Sequence, residues 1–227
     1  MPRLWCLLAI LLNLPLLPAA AQVTDDFSDG DFTGNPAWTG SADRWAIAPL
    51  DGNPALRTNG IAASDTIFLS TTSTVSRGTW SFTVAHRGVN LSNFNGARVF
   101  LTANTANLEG DVFGYFLQFG ASNSDEVRLY RQDGNPATGR VLLGRSADAL
   151  LEGDSTTLAI TVTRSETYEW VVSVDGTPLF TVTDGTYPSS QFFGVWVKHT
   201  QAATQGFFST ISTCRARPVL PTPTHRN

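Results

Sequence analysis

Two stretches constrain this chain more than any other: Gly114-Tyr-Phe-Leu-Gln-Phe-Gly120 and Asp125-Glu-Val-Arg-Leu-Tyr-Arg-Gln-Asp-Gly134. Tyr115, Leu117 and Phe119 alternate with Phe116 and Gln118. Val127, Leu129 and the stem of Arg131 alternate with Arg128 and Tyr130. Successive side chains on a strand point to opposite faces, so a period of two predicts two strands of a sheet with unlike faces. The polar run from Ala121 to Ser124 predicts the turn between them.

The same signal recurs. Strands are predicted over 67–70, 79–84, 97–102, 113–119, 126–132, 140–144, 156–164, 168–174, 177–183, 192–199 and 206–211, with weaker signals over 45–48 and 55–57. Turn chemistry separates them at Asp51-Gly-Asn-Pro54, Asp133-Gly-Asn-Pro136, Asp175-Gly176 and Asp184-Gly185. Val171 to Phe180 reads as a hairpin closed on Asp175-Gly176. Helical signal is confined to 147–152. Many short strands with regular turns imply an all-β, antiparallel two-sheet sandwich. Its inner faces should carry Trp80, Phe82, Phe100, Leu129, Ile160, Val162 and Val195, or the residues of opposite parity if the register slips by one. Trp80, Trp170 and Trp196 lie within strands and are expected in the core.

The chain has 227 residues. Arg3, the apolar run Leu4 to Leu17 broken by Asn13 and Pro15, and Pro18-Ala-Ala-Ala21 read as a signal peptide over 1–21. The run is shorter than the roughly 20 residues of a spanning helix, and no lipobox precedes Cys6. A secreted or extracytoplasmic protein is expected, monomeric and not inserted in a membrane after cleavage. What remains, about 205 residues, suits one β domain with a sizeable core. No linker interrupts it, and the sandwich is assigned to 22–211 with a disordered tail over 212–227. Cys214 alone survives cleavage, so no intrachain disulfide is possible. Setting aside Arg3, Arg215, Arg217 and Arg226, the 15 basic residues become 11 against 19 acidic ones, a net charge of −8 over 22–208. That balance argues against nucleic acid as a partner.

Asp25-Asp26-Phe27-Ser28-Asp29-Gly30-Asp31-Phe32, followed by Asn35-Pro36-Ala37-Trp38, resembles the opening of concanavalin A-like (laminin G-like) jelly-roll domains. Such domains stand at the N-terminus of large secreted bacterial multidomain proteins, often with lamin-tail modules. Tyr115 to Asp133 and Phe193-Gly-Val-Trp196-Val-Lys198 resemble the same family, and the resemblance covers 24–208. It implies a concanavalin A-like sandwich. Lectins, glycosidases and inert spacers share that fold, so it does not imply one activity.

Glycosidases need two carboxylates facing one cleft, which a strand supplies through acidic residues at every second position. No such series occurs. Glu166 and Glu169 flank a turn, Asp125 and Glu126 point to opposite faces, and His86, His199 and His225 lack acidic or histidine neighbours at ligand spacing. No catalytic residue is assigned. For metal, Asp25, Asp26, Asp29 and Asp31 put four carboxylates in seven residues, which suits calcium or, alternatively, a solvated turn. The resemblance implies a structural calcium where first and last strands meet. Sugar binding uses exposed aromatic faces, and Trp38, Trp45 and Tyr187, in less regular sequence, are the ligand-binding candidates. Arg128 and Arg131 with Asp133 read as strand-face charge pairs. Asn90-Leu-Ser92 is a formal glycosylation sequon. The expectation is a non-catalytic secreted or surface module, architectural or carbohydrate-binding, with a polysaccharide hydrolase or lyase as the alternative.

Domains of the resembling family close on a strand such as Phe-Phe-Phe-Asp-Asp-Ile-Tyr-Val. Deleting one thymine from TTC TTC TTC GAC GAT ATC TAC GTG TCG C yields Phe-Phe-Ser-Thr-Ile-Ser-Thr-Cys-Arg, which is residues 207–215. A frameshift after Phe208, truncating a larger protein, is therefore expected. It accounts for the lone Cys214 and the Arg/Pro/Thr tail together. Resequencing the locus checks it: an intact frame with no continuation in another frame refutes it.

Overall fold

The computed structural model describes residues 23–59, 63–88, 90–120, 125–147, 150–201 and the backbone of 215–217. The expected signal peptide at 1–21, the turn at 121–124 and the strand at 206–211 lie outside the described residues.

The strands are β1 (Thr39–Gly40), β2 (Trp45–Leu50), β3 (Asn53–Thr58), β4 (Asp65–Thr72), β5 (Gly78–Arg87), β6 (Gly96–Ala103), β7 (Val112–Gly120), β8 (Val127–Gly134), β9 (Arg140–Arg145), β10 (Ser155–Arg164), β11 (Glu169–Val174), β12 (Thr177–Thr183), β13 (Phe192–His199) and β14 (Arg215–Arg217). Among the described residues the helical content is the 3-10 turn Ala42–Arg44 and the 3-10 residue Gln201. One sheet has seven strands in the order β1-β4-β13-β6-β7-β8-β9, the other five in the order β12-β11-β10-β5-β14, and β2 pairs with β3 in a separate hairpin. All pairings are antiparallel. The fold is the all-β, antiparallel two-sheet sandwich that the alternation predicts. One element departs from expectation. Arg215–Arg217, inside the segment expected to lack structure, pairs with Ser81, Trp80 and Thr79 of β5, because the edge of β5 offers backbone groups that need partners.

Between the sheets lies one apolar core. Six of the seven expected inner residues, Trp80, Phe82, Leu129, Ile160, Val162 and Val195, belong to it. Trp80 stacks on Trp170 with ring centroids 5.8 Å apart, and Tyr115 meets Trp170 at 4.8 Å. The exception is Phe100, which faces away from the core with Phe116, Leu108 and Trp196. β6 carries one extra residue relative to its neighbours. Phe100 stands opposite Phe116, whereas Thr102 stands opposite Tyr115. Such a bulge breaks strict alternation. Trp196 is likewise buried, but outside the inter-sheet core.

The two sheets differ on their outer faces. On the five-stranded sheet the outward positions are Ser81, Thr83, Thr161, Thr163 and Ser173, all in contact with water. On the seven-stranded sheet every residue of β6 is buried, on both faces. A second apolar cluster sits there, and loops fold over it. A sheet face that escapes solvent without a partner sheet points to a built surface feature.

Candidate functional site

That outer face holds a cleft of about 460 Å³. Strand pairing sets its floor. Trp196 of β13 and Arg98 of β6, directly opposite each other across the sheet, form it, and Gln118 of β7 and Arg128 of β8 continue the same row beyond the lining. Lys198 and Thr66, opposite each other on β13 and β4, extend the floor. Leu108 and Glu109 in the β6–β7 loop form one wall, and Pro136, Ala137 and Arg140 around the β8–β9 turn form another. Asn93 closes the rim. Next to it Phe94 is 64% exposed, the largest exposure among the described large apolar residues, with the Lys198 Nζ 5.6 Å from its ring centre.

Arg98 is 7% exposed. Its guanidinium lies 4.1 Å from the Trp196 ring and 5.0 Å from the Phe116 ring. Its Nε donates to Gln118 Oε1 at 3.3 Å. Burial, with the like charge of Arg140 second, pushes Arg98 down to about 9, so it remains cationic at neutral pH. Glu109 is the one carboxylate in the lining, and burial followed by Asp65 pushes its carboxyl up. Asp65 itself is committed, pairing with Arg44 at 3.2 Å and accepting from the Thr66 amide at 2.9 Å.

The residues expected to form a site lie elsewhere. Trp38 and Trp45 are 2% and 3% exposed, so neither offers a ring face to a sugar. The N-terminal segment folds back over the sandwich, with Trp38 between Phe27 and Phe193 and its Nε1 donating to Asp25 Oδ2 at 2.7 Å. Their irregular surroundings suggested exposure, but irregular backbone here covers the core. The aspartates do not converge. Asp25 takes the Phe27 amide on its other oxygen. Asp26 accepts from Ser28, Asp29 from the Asp31 amide, and Asp31 from Thr33. Each carboxylate turns back on backbone two residues ahead, the habit of Asp in turns. Among the described residues no three His, Cys, Asp or Glu side chains are placed to hold a metal. As placed, the four carboxylates each close their own turn and do not meet at one point.

Tyr187 is half-buried and closes the end of the sandwich. Its ring meets Phe113 and Tyr115 edge-on at 5.8 and 6.0 Å, and its hydroxyl donates to Asp133 Oδ1 at 2.8 Å. Asp133 in turn takes Nε and Nη2 of Arg131 at 2.8 and 2.9 Å. Arg131 also reaches Asp184 at 2.6 Å. Arg128 pairs with Glu126 at 2.7 Å. Arg128 and Arg131 are thus bound to carboxylates of the same chain.

Burial works to raise Asp184, but hydrogen bonds from Tyr115, Thr186 and Arg131 hold its carboxyl below the usual range. Its stabilising contribution is therefore complete above the unfolded value of about 3.9 and is lost as pH falls through the lower folded value. Thermal melts taken from about pH 7 to about pH 3 should drop steeply below about pH 4. Asp184→Asn should lower the melting temperature at neutral pH and flatten that drop. An unchanged acid limb in the variant would remove Asp184 from the account.

No family model matches the sequence, and no curated protein matches it. Solved structures do. The Emp47p carbohydrate recognition domain is 13% identical, with 88% of this chain and 98% of that one covered at a TM-score of 0.57. The exoplasmic/lumenal domain of VIP36, in a Ca2+/Man-bound form, is 12% identical over 82% and 85% of the two chains at 0.55. Carbohydrate-binding module CBM66 from Bacillus subtilis is 13% identical over 79% and 94% at 0.52. The metal-free form of VIP36 is equally similar, also at 0.55, so the likeness carries no statement about calcium. At these identities what is shared is the fold: this chain has a concanavalin A-like, antiparallel two-sheet β-sandwich fold.

Proposed function

We propose that this protein is a non-catalytic carbohydrate-binding module that works outside the cytoplasm and holds a glycan on the outer face of its seven-stranded sheet. The cleft there carries the reading. Its volume, about 460 Å³, falls in the range of small-molecule sites. Hydrogen-bonding groups of Thr66, Asn93, Arg98 and Lys198 line it, and an exposed aromatic ring, Phe94, stands 5.6 Å from the Lys198 Nζ. That combination suits a sugar, which presents hydroxyls at its edge and C–H groups on its face. The similar solved structures include a carbohydrate-binding module and carbohydrate recognition domains. An exported location rests on the signal sequence read over 1–21. Among the described residues no helix is long and apolar enough to cross a membrane.

Binding is favoured over cleavage because the lining supplies one carboxylate, Glu109, where glycoside hydrolysis generally uses two. Asp65, its electrostatic neighbour, is engaged by Arg44.

A glycan array with the full chain tests the reading. At least one polysaccharide should bind, without hydrolysis. Ala137→Trp, which fills the cleft from an exposed wall, should weaken that binding about 10-fold or more and leave the melting temperature unchanged. No binding to any polysaccharide, with or without calcium, would leave a purely architectural module.

A further inference from the structure

Among the described residues, most arginines inside the sandwich or on its faces are held by partners of the same chain. Arg44, Arg77, Arg87, Arg128, Arg131 and Arg145 each face a carboxylate of the same chain. Arg164 is fully buried and donates to three backbone carbonyls and the Tyr115 hydroxyl. Arg98 is nearly as buried, yet among the described residues it has a single acceptor, the amide oxygen of Gln118. That acceptor takes Nε. No described group accepts from Nη1 or Nη2. A buried charge without a counter-charge is costly, and protein interiors rarely leave one so. The two aromatic faces that hold Arg98, Trp196 and Phe116, offset only part of that cost. They also fix the plane of the guanidinium.

Arg98 lines the cleft, and its free pair of nitrogens is the fork that receives a carboxylate end-on through two parallel hydrogen bonds. Around it stand Arg140 and Lys198, so three cations face one carboxylate, Glu109, in the lining. The local sign is opposite to that of the sandwich as a whole, whose net charge over 22–208 is −8. A cationic cleft in an acidic surface selects for a ligand that brings its charge to one place.

Resting on the reading of the cleft as a glycan site, we propose that the glycan is acidic: a hexuronate-containing polysaccharide whose carboxylate is bound by the Nη1/Nη2 fork of Arg98, with Arg140 and Lys198 adding attraction at the rim. The carboxylate supplies the counter-charge that the fold withholds from Arg98, and the sugar ring extends toward Phe94.

The test uses the full chain and four polymers in titration calorimetry: polygalacturonate, the same polymer with its carboxyl groups reduced to alcohols, dextran sulfate and mannan. Polygalacturonate should bind and should weaken as salt rises. Carboxyl reduction should weaken binding about 10-fold or more, and Arg98→Gln should do the same on the intact polymer. Arg140→Ala, at an exposed position, should cost about 3-fold and remove part of the salt dependence. Should Arg98→Gln fail to fold, carboxyl reduction and Arg140→Ala still decide. Equal binding of the reduced polymer, or preference for mannan, overturns the acidic ligand and leaves the glycan site standing. Dextran sulfate binding as tightly as polygalacturonate overturns the carboxylate fork in favour of a general polyanion site. Absence of binding to all four polymers, together with a blank glycan array, overturns both readings.

Discussion

Replacing Arg164 with alanine is expected to destabilise the protein by about 4 kcal/mol, because one partner would be removed from a buried charged network. Arg164 is 0% exposed. Its guanidinium sits within 5.0 Å of the Tyr115, Tyr168 and Trp170 ring centres. It donates to the carbonyls of Ser76, Asp184 and Tyr187 and to the Tyr115 hydroxyl, at 2.8 to 3.4 Å. Those carbonyls belong to two loops, Ser76 between β4 and β5 and Asp184 and Tyr187 between β12 and β13, which the guanidinium ties to β10. Alanine leaves all of these acceptors in a space that water does not fill easily, and unsatisfied buried groups cost about 1–3 kcal/mol each. Burial pushes Arg164 down from its usual value, with the charges of Tyr115 and Asp184 acting the other way. The same network pushes the Tyr115 hydroxyl up to about 12, through burial first and the hydrogen bond to Asp184 second. Arg164→Lys should recover less than half of the loss, because an ammonium keeps the charge but not the planar fork. Urea unfolding followed by tryptophan fluorescence measures both. A loss below about 1 kcal/mol for the alanine variant would mean that the loops hold themselves.

The second large effect is expected at Gly114, which pairs with Ala103 just past the bulge in β6. A Cβ there would stand 2.1 Å from the Thr102 carbonyl oxygen and 3.2 Å from Ala103 Cα. Both are backbone and cannot rotate away. Beside the bulge the Thr102 hydroxyl accepts the Tyr115 amide at 3.1 Å. Gly114→Ala should therefore cost about 3 kcal/mol, at the upper end of overpacking penalties. It should also disturb the cleft, because the bulge sets which side chains of β6 face outward. Equilibrium unfolding gives the first number and glycan titration the second. A variant within about 0.5 kcal/mol of the parent would show that the β6–β7 pairing is loose at the bulge.

The fold was legible because the five-stranded sheet and β7–β8 follow a simple rule. Trp80, Phe82, Ile160 and Val162 are apolar, and Ser81, Thr83, Thr161 and Thr163 between them are polar, so the buried face can be read directly. Along β6 the rule has nothing to act on. Val99, Phe100 and Leu101 are all apolar and all buried, on two different faces. The apolar pattern puts Phe100 on the wrong side for that reason and leaves no trace of the bulge. The cleft was missed for a related cause. Its floor comes from β4, β6 and β13, far apart in sequence, and its walls are turns whose Asp, Asn, Gly and Pro content is ordinary. One local clue existed: Arg98 stands alone in the apolar run Ala97-Arg98-Val99-Phe100-Leu101. A charge in such a run needs a reason. By contrast, Trp38 and Trp45 attracted attention through irregular surroundings, and Asp25 to Asp31 through charge density. Backbone that caps a core, and aspartates that cap turns, give the same sequence signal as a site.

The walls of the cleft hold themselves up. Asn104, Thr105 and Asn107 receive the amides of Phe113, Asn107 and Glu109, and Asn135 receives those of Ala137 and Thr138. The loop from 104 to 111 and the turn from 135 to 139 thus fold on their own side-chain bonds, while the floor is fixed by strand register. The walls and the floor are thus held by different parts of the chain. Substitutions at Glu109, Pro136 or Ala137 can reshape what the cleft accepts without passing through an unstable intermediate. An engineer, or a lineage under selection for a new ligand, can vary the walls one residue at a time and keep the platform.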